Sequence, residues 1–203
     1  MKKSILTLLL ITSCVFAYAQ EKTVTLLTFG GYTFKDKIDF SEGYGEIGDG
    51  FQWGAGFEVG LSDENAVELI YQRMDPTTFV QGPFGERRYG EVGINYIMLG
   101  GTRYAPINEK IAGFATLDAG VGFLSPKETG YESVTRFAWG LRLGLRMMTS
   151  EKVGIRIFGQ LMSPVQGAGG GFYFGTGGTG AGVSTYSTIY QFNLGVSLTF
   201  KLK

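Results

Sequence analysis

The sequence predicts an all-β fold, an eight-stranded antiparallel up-and-down transmembrane β-barrel. Three observations carry the prediction: strand-length segments in which one parity is apolar and the other polar, connections that alternate between short and long, and an export signal in front of them. The cleanest segment is the last, residues 190–202. Phe192, Leu194, Val196, Leu198, Phe200 and Leu202 occupy one parity there, and Gln191, Asn193, Gly195, Ser197, Thr199 and Lys201 the other. Successive side chains of a strand point to opposite faces, so this is one strand with an oily side and a wet side.

The elements follow in order. Residues 1–19 read as a cleaved signal peptide, with Lys2 and Lys3, an apolar run over 5–16, and Ala17 and Ala19 before a cut ahead of Gln20. A competing reading takes Ile11-Thr12-Ser13-Cys14 as a lipoprotein box with Cys14 acylated, but residues 15–19 continue the apolar run instead of opening a polar tether. Cleavage removes the one cysteine and two lysines, leaving sixteen basic against eighteen acidic residues. Thiol chemistry and a nucleic-acid partner are thereby disfavoured. Residues 20–203 form a single barrel domain. The first strand spans roughly 23–34, where Leu26-Leu27 breaks the register.

Residues 51–61 put Phe51, Trp53, Ala55, Phe57, Val59 and Leu61 on the lipid side and Glu58 inside. Val67, Leu69 and Tyr71 then oppose Glu68 and Gln72, with Ile70 out of pattern. In the next strand Val92, Ile94, Tyr96, Met98 and Tyr104 are assigned outward against Glu91, Asn95 and Arg103, with Ile97 and Leu99 as exceptions. Over 111–123, Ile111, Ala115, Leu117, Ala119, Val121 and Phe123 oppose Thr116 and Asp118, and Phe114 lapses. Over 137–147, Phe137, Trp139, Leu141, Leu143, Leu145 and Met147 oppose Arg136, Arg142 and Arg146. An arginine on the lipid side costs about 2–4 kcal/mol at the midplane, so these three face inward. Val153, Ile155, Ile157 and Leu161 oppose Arg156 and Gln160. Residues 62–65, 106–110 and 149–152 are short polar turns, while 35–50, 75–90, 124–135 and 164–187 are long connections. Four long loops and three short turns put both termini in the periplasm. A soluble sandwich or lipocalin-like barrel would invert the two faces, and the export signal, strand length and loop alternation argue against it.

On this pattern, and on a last strand ending Leu198-Thr199-Phe200, the chain resembles the small eight-stranded outer-membrane barrels of the OmpA-transmembrane, OmpX and OmpW kind. The resemblance implies a place in the outer membrane, contact with its lipid, and reading of the terminal aromatic by the barrel-assembly machinery. The chain departs from the family in carrying Lys201-Leu202-Lys203 after Phe200.

Glu58, Glu68, Glu91 and Asp118 against Arg103, Arg136, Arg142, Arg146 and Arg156 predict a salt-bridged plug in a lumen that an eight-stranded barrel's own side chains nearly fill. Inward glycines at 54, 56, 60, 120, 122, 140 and 144 leave room for water. The enzymatic barrels of comparable size that the resemblance brings in use histidine, and this chain has none. No catalytic residue, cofactor or metal site is assigned. Phe172, Tyr173 and Phe174, set among glycines in the last long loop, together with Phe79 and Phe84, form a candidate contact surface for an envelope protein partner. The function expected is a non-enzymatic barrel that displays its extracellular loops. The alternative is a narrow porin-like channel for small solutes.

Overall fold

A computed structural model describes residues 22–40, 43–81, 87–126, 134–164, 171–175, 178–182 and 190–202. The signal segment with Cys14, and Phe84, lie outside them. The strands are β1 (Val24–Thr33), β2 (Asp36–Phe40), β3 (Gly43–Ile47), β4 (Gly50–Gly60), β5 (Asn65–Met74), β6 (Thr77–Gln81), β7 (Arg87–Pro106), β8 (Ile111–Pro126), β9 (Val134–Met148), β10 (Val153–Pro164), β11 (Gly171–Gly175), β12 (Gly178–Gly182) and β13 (Gln191–Lys201). Eight of them close a barrel in the order β1, β4, β5, β7, β8, β9, β10, β13, every pair antiparallel. The seam between first and last strands runs from Thr25↔Lys201 to Thr33↔Asn193. Closure leaves these eight strands with no edge.

The three short turns share one design. Leu61, Ile107 and Thr149 each donate the backbone N–H to the carbonyl four residues on, of Asn65, Ile111 and Val153. Ser62, Asn108 and Ser150, second in each turn, accept that same residue's N–H on a side-chain oxygen at 3.2, 2.8 and 3.0 Å. Short polar side chains that bond nearby backbone are the residues such turns require. The long connections contain more structure than loops. Residues 35–50 hold the β2–β3 hairpin, which pairs through β6 onto the far end of β7. The last connection holds the β11–β12 hairpin, where Phe172, Tyr173 and Phe174 pair with Ala181, Gly180 and Thr179.

Burial decides the orientation of the wall. In β4, Phe51, Trp53 and Phe57 are exposed while Gln52 and Glu58 are buried; in β13, Phe192, Leu194, Val196 and Leu198 are exposed while Asn193, Ser197 and Thr199 are buried. Polar groups are inside and the apolar belt is outside, the inverse of a soluble sandwich. In β1, Leu27 points into the lumen beside outward Leu26.

The strand β7 corrects the parity assigned from sequence. Val92, Ile94, Tyr96, Met98 and Tyr104 are buried in the lumen, whereas Ile97 and Leu99 face outward. Both parities of 92–99 are apolar, so the assignment rested on Glu91, Asn95 and Arg103. Glu91 and Arg103 lie exposed on the outer side, at the two ends of the strand, where charge leaves the apolar belt and reaches water.

Gly60 leaves the room expected, a Cβ there meeting nothing nearer than 3.7 Å, but the other inward glycines do not. Phe29 lies against Gly54, Ile70 against Gly56, Tyr96 against Gly122, Met162 against Gly140 and Phe114 against Gly144. A Cβ on Gly120 would stand 2.0 Å from the Ile97 carbonyl oxygen and 2.8 Å from Met98 Cα, both backbone. Gly120→Val is therefore expected to lower stability by at least ~1–3 kcal/mol in urea unfolding. Gly101→Ala, where a Cβ meets nothing within 4 Å, is expected to leave the midpoint unchanged.

Candidate functional site

The lumen is built from side chains that different strands send to one axis. Glu68 of β5 is fully buried at its centre. Its Oε1 accepts from Arg142 Nη1 of β9 at 2.7 Å, and its Oε2 accepts from Arg156 Nη1 of β10 at 3.3 Å. Arg142 Nη2 continues to Asp118 Oδ2 of β8 at 3.2 Å, and Arg156 Nη2 to Glu58 Oε2 of β4 at 2.5 Å. Tyr104 of β7 donates its hydroxyl to that same Glu58 oxygen at 2.6 Å and also contacts Arg156 Nη2. The result is a ladder, Asp118–Arg142–Glu68–Arg156–Glu58–Tyr104, tying six strands across the barrel. Phe29 and Phe158 flank the Arg142 guanidinium and Phe114 lies beside that of Arg156, all with 5.3–5.8 Å from carbon to ring centre. Aromatic faces attract a cation, and their bulk keeps water away from it.

Toward the long connections a second, uncharged layer follows. Asn193 donates to Thr33 at 3.0 Å, Thr33 to Gln52 at 2.9 Å, Gln52 to Gln72 at 2.5 Å, and Gln160 to Gln72 at 3.3 Å. Tyr96 donates across the barrel to Gln191 at 2.8 Å. The opposite wall of this half is apolar: Ile70, Met98, Met162, Ile94, Val92, Leu124 and Ile47 form one buried cluster. Toward the short turns lies a pocket of about 280 Å³ whose lining includes Tyr104, Arg146, Arg156, Glu58 and Lys201.

Of the residues singled out from sequence, the structure brings together Glu58, Glu68, Asp118, Arg142 and Arg156. Arg146 also faces inward, but lies on the Tyr104 ring at 3.8 Å instead of entering the ladder. Arg136 sits nearer the long-connection end and donates to the Thr135 carbonyl at 2.9 Å. Arg103 and Glu91 stand outside the lumen. Arg103 meets Glu64 at 3.4 Å with its side chain 74% exposed. Phe79 lies on β6, and Phe172–Phe174 on β11, away from this site. Sequence reasoning assigned Tyr104 outward and left out Gln52, and it put Gln72, Gln160, Gln191 and Asn193 on the polar parity without joining them into a layer. A signal existed: Gln52, Gln72, Gln160 and Gln191 all lie on the inward parity of their strands.

Chemically, the ladder sets three carboxylates against two guanidiniums, with Arg146 beside it on the Tyr104 ring. Its three carboxylates accept from guanidiniums, and a base committed to an ion pair is poorly placed to take a proton from a substrate. Among the described residues no group of three His, Cys, Asp or Glu is placed to hold a metal ion.

No family model matches the chain, and no curated protein does. Solved structures do. Neisserial surface protein A superposes with a TM-score of 0.61 at 9% identity, over 88% of this chain and 97% of that one. The outer membrane protein OprG from Pseudomonas aeruginosa gives 0.59 at 13% identity, over 90% and 98%. The chain has the fold of the small eight-stranded outer-membrane β-barrels. At such identities the likeness concerns the fold alone.

Breaking a buried pair by removing one partner leaves the other charge uncompensated, at a cost of about 3–5 kcal/mol. Glu68→Gln takes one carboxylate from each of two guanidiniums, which keep Asp118 and Glu58, so a smaller cost, about 1–3 kcal/mol in urea unfolding, is expected. Adding Arg142→Met and Asp118→Asn to it removes one of those charges with its second partner, and part of the loss is expected to return.

Proposed function

We propose that this chain is a non-enzymatic outer-membrane barrel whose lumen is closed and whose working surface is the strand and loop assembly at its long-connection end. The observation that carries the reading is the ladder together with the amide layer and apolar cluster beyond it. Side chains bonded or packed to one another cross the barrel at successive levels. Solute passage would require an Arg–carboxylate pair to part inside a low-dielectric lumen, and each bare charge there costs several kcal/mol.

Placement in the outer membrane is supported by the outward belt, which on β4, β9 and β13 exposes Phe51, Trp53, Phe57, Phe137, Leu141, Leu143, Leu145, Phe192, Leu194 and Val196 in continuous rows. Contiguous apolar area on that scale does not suit an aqueous surface. With short turns on the periplasmic side, both termini lie there as well, and β2, β3, β6 and the β11–β12 hairpin belong to the outside. Aromatics gather at this end of the wall: Tyr32 packs edge-on against Phe34, which stacks on Phe192, and Trp53 packs against Tyr71. That is the girdle expected where apolar core meets headgroups. The β2–β3–β6–β7 sheet that rises beyond it carries Phe79 opposite Tyr89 and Glu46 in register. A paired sheet holds such residues at fixed spacing, so an envelope protein partner would meet a preformed surface.

The test is ion conductance of the refolded mature chain in a planar bilayer. Heat-modifiable gel mobility establishes that the barrel has folded. A silent bilayer is expected. Steady openings that change on Arg142→Ala would overturn the closed-lumen reading in favour of a narrow channel for small solutes.

A further inference from the structure

Arg146 faces inward from β9 yet takes no part in the ladder, and the strand register explains why. It stands directly opposite Arg156 on β10 and opposite Ala112 on β8, so neither neighbouring strand sets a carboxylate across from it. Like charges facing each other across a strand pair repel. Arg156 is relieved by Glu68 and Glu58, which accept from it at 3.3 and 2.5 Å. Among the described residues no hydrogen-bond acceptor meets the Arg146 guanidinium and no carboxylate pairs with it. The ladder's surplus carboxylate offsets its charge at a distance but gives its N–H groups nothing to donate to.

The Arg146 head is held in place all the same. Its guanidinium carbon lies 3.8 Å from the centre of the Tyr104 ring, and Tyr104 is itself buried and fixed by its hydroxyl on Glu58. Stacking on an aromatic occupies the face of a guanidinium and leaves its N–H edge open. That edge is the part whose geometry matches two oxygens of a carboxylate or phosphate.

The room for such a group is the pocket of about 280 Å³ at the short-turn end, several times the volume of one water. Arg146 and Tyr104 line it together with Lys201 and the hydroxyl residues Thr25 and Thr199. Three carboxylates line it as well, but they do not occupy Arg146. Glu58 is committed to Arg156 and Tyr104, and Asp63 and Glu151 stand in exposed short turns where solvent and salt screen them.

We propose that this pocket binds a small oxyanion, a carboxylate or phosphate group, with Arg146 as its bidentate anchor and Lys201 as a second positive charge. The bound anion supplies the acceptor and counter-charge that the strand register denies Arg146. The pocket lies on the short-turn side, which the membrane reading above puts in the periplasm, and filling it requires no passage through the lumen.

The experiment follows the backbone amide resonances of Arg146, Thr199 and Lys201 in the nitrogen-15-labelled mature chain, refolded in detergent micelles. Inorganic phosphate and, separately, acetate are titrated in at constant ionic strength against sodium chloride, so that screening does not change. Shifts that saturate at these three residues are expected with at least one of the two anions, and the anion that saturates them assigns the ligand to phosphates or to carboxylates. Arg146→Lys keeps the charge but loses the fork and is expected to weaken binding about tenfold. Arg146→Gln is expected to abolish saturation, whereas Arg103→Gln, outside the lumen, leaves the curve unchanged. Heat-modifiable gel mobility checks that each variant has folded, and if Arg146→Gln does not fold, Arg146→Lys decides. Shifts that never saturate with either anion, or a saturation curve that is the same in the Arg146 variants as in the wild type, overturn the inference. Neither result bears on the closed lumen, which the conductance measurement tests by itself.

Discussion

Glu68 is the constraint on which the rest of the lumen depends. One carboxylate with no exposed surface satisfies two guanidiniums from neighbouring strands β9 and β10, reaching across the barrel from β5. A buried ion pair of this kind is weak evidence for stability, because desolvation offsets most of its Coulombic gain. Its consequence is uniqueness. Shifting any one of these strands by one residue would turn its charged side chain toward the outside, leaving the partners bare in the lumen. The ladder therefore specifies register across β4, β5, β7, β8, β9 and β10, a task that an apolar lumen of interchangeable methyl groups performs less sharply.

The remaining lumen follows from where the ladder sits. It occupies the half nearer the short turns, so the other half is free to be built as amides on β4, β5, β10 and β13, joined by Thr33 of β1, and as an apolar cluster centred on β5, β7, β8 and β10. The inward glycines belong to the same solution. Six large inward groups, among them Phe29, Phe114, Tyr96 and Met162, lie over glycines of facing or neighbouring strands, and any side chain there would displace them. An eight-stranded barrel has little interior to spare, and pairing large with small is how its interior reaches packed density.

Legibility in the sequence tracked how unequal the two faces of each strand are. In β4, β9 and β13 one parity is wholly apolar and the other holds glycine, amides and charge, so the strand, its faces and its lipid side can all be read from residues alone. In β7 they cannot. Lumen and exterior are both apolar over 92–99, and the charged residues at its ends face outward beyond the belt, so a rule assigning charge to the lumen inverts the strand. Burial within the belt, not charge by itself, forces an arginine inward. The ladder members Glu58, Glu68, Asp118, Arg142 and Arg156 are the residues the rule places correctly, whereas Arg103 and Glu91 stand exposed on the outward positions of β7; distance from the strand end does not separate them, since Glu58 lies two residues from the end of β4. Tyr104 was invisible for a related reason: its ring reads as a lipid-side aromatic, and only its hydroxyl, bonded to Glu58, makes it part of the polar interior.

The same positional rule bears on the outer wall. A charge at a strand end marks where the membrane stops, so the outward polar residues measure the belt strand by strand. On β5 and β7 the outward arginines Arg73 and Arg103 are each held by a carboxylate nearer the end of the wall, Asp75 and Glu64, so their heads reach away from the middle of the belt. Those two strands also supply Glu68 and Tyr104 to the ladder and most of the apolar cluster to the lumen. Their inward faces carry charge in the middle of the wall, paired within the ladder, while their outward faces carry it only toward the ends. Interior bonding holds this seam in register, so an outward arginine meets its carboxylate by turning its side chain along the wall, not by shifting the strand.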